Sequence, residues 1–401
     1  MNAASLEVLR AFLKLGLTSF GGPIAHLGYF REEFVVRRRW LDDATYTDLV
    51  ALCQFLPGPA SSQVGFSIGL LRAGYPGGLS AWIGFTLPSA ILLVAFAFGA
   101  AELNGPIGLG VVHGLKLVAV AIVAQAVAGM ARSLCPDRPR ASIAAAAAVV
   151  ILVSGSSIAQ IAVIMMGALV GRWLCREDAS APASADPSLR VIAVPVSRKA
   201  GMVSLAAFAL LLIGLPLARR LGAGSAIALF DSFYRSGALV FGGGHVVLPL
   251  LREAFVAPGW VGDGTFLAGY AAAQAVPGPL FTFAAFLGAV ATPSPHGLAG
   301  ALLGLIAIFL PGMLILVGTL PFWNTLRARA GARAAMRGVN AAVVGLLAAA
   351  LYTPVWTSSI KNAADLGVAI LGFVALTVWH ASALWVVILG ALAGVALSST
   401  G

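Results

Sequence analysis

Two stretches of the chain carry the residues best suited to bind something. "QFLPGPASSQ" at 54–63 and "QAVPGPLFTF" at 274–283 place Gln54 and Gln274 three residues ahead of Pro57-Gly58-Pro59 and Pro277-Gly278-Pro279. Proline lacks a backbone N–H and blocks the preceding turn, so each Pro-Gly-Pro ends one helix and starts another. The new helix offers unpaired N–H groups and the positive end of its dipole, which together cradle an anion. Ser61, Ser62 and Gln63 add two hydroxyls and an amide at the first break, and Thr282 adds a hydroxyl at the second. A glycine pair accompanies each break, Gly21-Gly22 and Gly242-Gly243. Lys14 and Arg235 precede those glycines at matching positions, and Lys116 matches Asn340. Cations inside apolar segments are costly and face a cavity or a partner, although Lys14 is near enough to a segment end to snorkel. His26 and His245 follow the glycine pairs but do not match each other, and they read as packed, hydrogen-bonded side chains, with a proton-coupling role as the alternative.

Catalysis finds no support in the same residues. The chain lacks His-Glu-x-x-His, Cys-x-x-Cys and any paired intramembrane carboxylate, and "GSS" at 155–157 has no accompanying His and Asp pattern. Cys53, Cys135 and Cys175 have no metal-ligand spacing and read as small buried side chains. We therefore expect a binding protein, not an enzyme, with no cofactor and no metal.

Composition settles the class. Hydrophobic residues make up 60% of the 401 and charged residues 10%, with a mean hydropathy of +0.96. A soluble domain carries about 25% charged residues, so this chain cannot cover a water-facing surface. Segments such as 81–101 and 301–320 reach the length needed to cross hydrocarbon. The net charge of +10 resides mainly in short loops, as orientation signals do, and does not call for nucleic acid. No cleaved signal peptide is expected from the first residues, which lack a long apolar run and an Ala-x-Ala site.

The chain is also written twice. Residues 12–35 set over 233–256 agree at ten of 24 positions. The agreement continues in order through Trp40 over Trp260, Asp43 over Asp263 and the Pro-Gly-Pro blocks, to "TLPSAILL" over "FLPGMLIL" and "HGLKLVAV" over "RGVNAAVV". We read a first repeat over 1–175, a polar cytoplasmic linker over 176–199, an extra transmembrane helix over 200–220 and a second repeat over 221–401. One added crossing turns the second repeat upside down. Loop charge agrees: Arg31 and Arg37 to Arg39 face only Arg252 in the mate loop, while Arg327, Arg329, Arg333 and Arg337 face none in 102–113. The expected fold is an all-α polytopic membrane protein of two inverted-topology repeats with broken or re-entrant helices. Its N-terminus lies inside and its C-terminus outside. Broken segments at matching places in inverted repeats point to a substrate site at the repeat interface. Glu32 and Glu253 are expected to pair with nearby arginines, and Trp40, Trp173, Trp260, Trp323 and Trp379 to anchor segment ends at the interface.

"FLKLGLTSFGG", "REEFV", "RRRWLDDATYTDLVALCQFLPGP", "FGGGHVVLPLL" and "QAVPGPLFTFAAFLG" resemble the chromate ion transporter family in its long, two-domain form. The likeness runs over nearly the whole chain. Gly244 in place of Pro23, and "FTF" in place of "SSQ", depart from strict repetition and suggest that the first half supplies more polar ligands. The resemblance implies a secondary transporter in the bacterial cytoplasmic membrane that exports chromate, with sulfate a related oxyanion, driven by membrane potential or a proton gradient. Direction is not written in the helices, so an oxyanion importer on the same scaffold stands as the alternative. The lipid bilayer is the expected surrounding, and a homodimer is compatible with the sequence.

Overall fold

Proline and glycine decide where the helices stop. The computed structural model describes residues 3–19, 22–100, 106–154, 157–175, 195–240, 247–323 and 329–400, and all regular structure among them is helical. Gly21, Gly242, Gly243, His245 and most of the linker lie outside the described residues. In the first half α1 is Ala3–Thr18, α2 Gly22–Arg31, α3 Asp43–Phe55, α4 Ala60–Ala100, α5 Pro106–Leu134, α6 Arg138–Ser154 and α7 Ser157–Leu174. Then α8 spans Arg198–Arg220. The second half gives α9 Ser225–Ala238, α10 Val247–Phe255, α11 Asp263–Ala275, α12 Phe283–Val290, α13 Gly297–Thr319, α14 Ala330–Ala350, α15 Ala363–Thr377 and α16 Ala383–Thr400. Helix α4 is interrupted at Ala73 and Gly74, which have non-helical backbone, so its residues before and after the interruption form separate arms.

Local chemistry fixes the starts. Asp42 accepts the Thr45 amide ahead of α3, Ser197 the Ala200 amide ahead of α8, and Asn362 the Asp365 amide ahead of α15. Among the described residues, five stretches are long and apolar enough to cross a bilayer: 60–99, 107–132, 198–220, 297–322 and 330–359. The protein is an all-α polytopic membrane protein.

Packing interleaves the halves. Helix α5 of the first half lies against α15 and α16 of the second, while α14 of the second lies against α6 and α7 of the first. Small residues make these approaches possible, as hydrocarbon supplies no hydrophobic drive between helices. Gly110 and Gly114 meet Gly390 and Gly394, and Gly167 and Gly171 meet Gly338. Helix α8 touches α9 and α13 along one edge and leaves Val203, Leu210 and Ile213 exposed. It is long and apolar enough to cross a bilayer and is mostly unburied by the rest of the chain.

Arg31 and Arg252 pair with Asp43 and Asp263, at 2.7 and 3.0 Å. Both aspartates follow a bend that turns the next helix back toward the arginine. Trp323 is no interfacial anchor; it is buried and rests against Phe55. Trp40 has the guanidinium groups of Arg38 and Arg72 over its ring at 5.3 and 5.2 Å.

Candidate functional site

The two Pro-Gly-Pro breaks are where the halves lock together. Gly58 adopts a φ of +119°, a conformation open to glycine alone at this position, and its amide donates to the Val240 carbonyl at 2.7 Å. Gly278 adopts +104°, and its amide donates to the Ser19 carbonyl at 3.0 Å. Ser19 and Val240 occupy the same place in the aligned halves, each directly before Phe-Gly-Gly. A second reciprocal contact backs the first. A Cβ on Gly58 would lie 2.9 Å from Gly312 Cα, and one on Gly278 would lie 2.8 Å from Ser89 Oγ. Ser89 and Gly312 are again equivalent, each following the proline of a long helix. Each break thus docks twice on the opposite half.

Gln63 tightens the first break. Its Nε2 donates to the Pro57 carbonyl at 2.9 Å within its own half and to the Gly312 carbonyl at 2.8 Å in the other. Gln63 therefore positions the break, and only its unpartnered Oε1 is left for other work. The second break opens through a short 3₁₀ turn, Leu280–Thr282, where Thr282 Oγ1 donates to the Pro279 carbonyl at 2.7 Å.

The amides of Gly58 and Gly278 are occupied, so the cradle that remains is the start of α4 at Ala60, Ser61 and Ser62. Buried polar side chains gather around it. His26 Nδ1 is 3.4 Å from Ser61 Oγ, and its ring stands edge-on to Phe85 at 5.1 Å, beside the backbone of Ser19. Ser89 Oγ donates to the Thr86 carbonyl at 3.0 Å. Ser19, His26, Ser61, Ser62, Gln63, Thr86 and Ser89 are all buried. Ser19 Oγ, His26 Nε2, Ser62 Oγ and Thr86 Oγ1 have no hydrogen-bond partner among the described residues. Buried polar atoms are normally paired, so this concentration marks a place built to receive polar atoms from elsewhere. The matching positions of the second half are Val240, Val247, Phe281, Thr282, Phe283, Phe309 and Gly312. Among the described residues polarity is concentrated on one side of the pseudo-symmetric pair, with Thr282 the polar residue of the other, as the Ser-Ser-Gln to Phe-Thr-Phe difference suggests.

The structure treats the basic candidates differently. Lys14, more than half exposed, lies 4.0 Å from Glu33, which is buried and also accepts from Arg37 at 3.0 Å and Arg38 at 2.7 Å. Arg235 donates to the fully buried Asp231 at 2.7 Å, with Arg219 at 3.7 Å from the same carboxylate. Neither is a bare cation facing the breaks. Lys116 extends over the start of α11, where a Cβ on Gly264 would come within 2.9 Å of Nζ. Asn340 Oδ1 is buried without a partner among the described residues. His113 Nε2 is 2.7 Å from the buried Asp365, which ties α5 to α15.

The two glutamines ahead of the breaks diverge. Gln274 is half-buried and hydrogen-bonds Tyr270 on its own helix. Gln54 is exposed, in line with Thr47 and Ala51 at helical spacing. Helix α11 shows no such stripe: from Phe266 to Ala273 it is buried. Gly22 starts α2 with a φ of +76° and has open space on its Cα. Sequence reasoning missed Ser19, Thr86 and Ser89, although the match of "TLPSAILL" with "FLPGMLIL" already placed Ser89 opposite Gly312.

These features define a class: an all-helical polytopic membrane protein whose halves meet through paired interrupted helices around a buried polar cluster. The chain belongs to the chromate transporter family, whose profile matches residues 6–172 and again 227–395. It is 30% identical over 362 residues to a chromate transport protein of Pseudomonas aeruginosa, covering 86% of this chain and 79% of that one. It is 27% identical over 354 residues to a chromate transport protein of Cupriavidus metallidurans, covering 86% and 81%. An uncharacterized transporter of Methanocaldococcus jannaschii is 24% identical over 351 residues, covering 87% and 84%. No solved structure matches the chain.

Proposed function

We propose that this protein carries chromate out of the cell across the cytoplasmic membrane, from a site between the two breaks, and so confers chromate resistance. The observation that carries this reading is the reciprocal docking of the breaks around one polar cluster, in a chain whose relatives include chromate transport proteins. Paired discontinuous helices at a repeat interface are the usual architecture of a mid-membrane transport site. The N–H groups and hydroxyls at the start of α4 suit a tetrahedral dianion, with Ser61 and Ser62 as side-chain ligands. Gly58, Gly278, Pro57, Pro59, Pro277, Pro279 and Gln63 hold the walls. Sulfate shares the shape and charge of chromate and would compete for the same groups.

The repeats are inverted in this reading, with α3 open to the cytoplasm and α11 closed on the far side. Support comes from the exposed Thr47–Gln54 stripe, which would line water, since polar groups facing lipid are costly. Transport is driven by the membrane potential or a proton gradient. Chromate accumulation in inside-out vesicles, energised by respiration, tests the proposal. Accumulation that collapses with an uncoupler is expected. Accumulation only in right-side-out vesicles would make the protein an importer, and none in either orientation would end the chromate reading.

A further inference from the structure

Among the described residues, a doubly charged oxyanion in this cluster meets only neutral dipoles. Ser19, Ser61, Ser62, Thr86 and Ser89 offer hydroxyls, and the first turn of α4 offers amides. Phe12, Phe30 and Phe85 wall the same region. Dipoles alone leave two negative charges in a low-dielectric setting, which is expensive without a compensating cation. The neighbouring cations are committed elsewhere, Lys14 beside Glu33 and Arg235 to Asp231.

One side chain of the cluster can change its charge. His26 is fully buried, directs Nδ1 toward Ser61 at the start of α4, and has no partner for Nε2 among the described residues. The titratable groups on the packed elements lie apart from it. Lys14 of α1, Glu33 beyond α2 and Arg72 of α4 join a network with Glu7, Arg37 and Arg38, while Tyr46 of α3 donates to the Leu27 carbonyl. Asp48 of α3 is buried with contacts of its own, and among the described residues no charged group acts on the imidazole. In the second half Val247 stands at the matching position.

Resting on the oxyanion reading above, we propose that His26 takes up one proton together with the oxyanion and releases it when the oxyanion leaves. In the tautomer that donates from Nδ1 to Ser61, the lone pair is on Nε2 and receives the proton from water on the side of binding. The imidazolium then cancels one of the two negative charges. Without the anion, the Ser19 backbone alone among the described residues supports a charge on the ring, and burial outweighs it, so the ring stays neutral. The coupling is reciprocal: the oxyanion raises proton affinity as the proton raises oxyanion affinity. Imidazole suits this role because its ordinary titration range spans physiological pH.

The test is chromate binding to the purified full-length protein in nanodiscs between about pH 7.5 and 9, where chromate is essentially all dianion. One proton taken up per anion makes the affinity fall about tenfold per pH unit there. A pH electrode in weak buffer should show proton uptake on chromate addition. His26→Gln should bind with an affinity independent of pH and take up no proton, and His26→Asn serves if the first variant does not fold. Binding by the unaltered protein without proton uptake overturns the proposal, and so does a pH slope that survives in either variant. If the unaltered protein binds no chromate at any pH, the oxyanion reading itself falls, and this coupling with it.

Discussion

The amide of Gly58 donates to the carbonyl of Val240, which belongs to the other half of the chain, at 2.7 Å. The same bond exists in mirror form from Gly278 to Ser19. Two interrupted helices are therefore held by two backbone bonds that each cross between halves. Any rocking of one half against the other must strain or break one of them, so the breaks are placed to feel a change of access from one membrane face to the other.

Leucine at Gly58 or Gly278 should abolish this arrangement. A residue with a side chain at these positive φ values costs about 1–2 kcal/mol, and the added Cβ would also run into Gly312 or Ser89. Both variants should insert into the membrane but transport chromate at less than about a tenth of the parental rate, an added barrier of at least about 1.4 kcal/mol. Vesicle uptake normalised to inserted protein measures it. Parental rates in both would show that the breaks are simple kinks.

Ser62 and Gln63 are neighbours with different duties. Ser62 Oγ has no partner among the described residues, so Ser62→Ala should leave the melting temperature unchanged and weaken chromate binding by about 1 kcal/mol. Gln63→Leu leaves the Pro57 and Gly312 carbonyls unsatisfied and should lower stability by about 2 kcal/mol. Thermal unfolding and chromate titration on the same samples separate the two. A stability loss for Ser62→Ala would mean that its hydroxyl is already engaged.

Lys14 and Arg235 share a position in the repeat but not a role. Removing Arg235 strands the buried Asp231 with only the more distant Arg219, and breaking such a pair costs about 3 kcal/mol. Arg235→Ala should therefore lower the amount of inserted protein. Glu33 keeps Arg37 and Arg38 without Lys14, and the exposed Lys14 contact contributes under about 1 kcal/mol. Lys14→Ala should insert normally, and its transport should fall about threefold at low salt through weaker steering of the anion. Normal transport at low salt would reduce Lys14 to a snorkelling residue.

Much of this was legible in the sequence, for identifiable reasons. Pro57-Gly58-Pro59 and its copy dictate helix ends by covalent geometry, so both breaks and the pairing of α3 with α11 could be read directly. Arg235 carried a signal that was there to use: Asp231 precedes it by four residues, the spacing of a helical ion pair. The Val240 and Ser19 contacts carried none, because a backbone carbonyl accepts whatever its side chain. Trp323 misled for a similar reason, since an aromatic residue near a segment end packs inward when a partner such as Phe55 is available.

The last expectation concerns topology, and the helix ends make it specific. The start of α8 meets the end of α13 at Gly201 and Gly318, and the end of α7 meets the start of α14 at Gly171 and Gly338. Those ends carry Arg172, Arg198, Lys199, Arg329 and Arg333, so one face gathers the positive charge that marks the cytoplasm. At the other ends Gly110 of α5 meets Gly394 near the finish of α16, where no Lys or Arg follows Lys361. Helix α16 starts on the basic face and finishes on the other, while α1 starts beside Arg38 and Arg72 through Glu7. The two termini should then lie on opposite sides, N inside and C outside. Fusions of a periplasm-active phosphatase and a cytoplasm-active fluorescent protein at each terminus measure this. Both termini reporting from the same side would remove the odd number of crossings and the inversion with it, and α3 and α11 would open to one compartment instead of two.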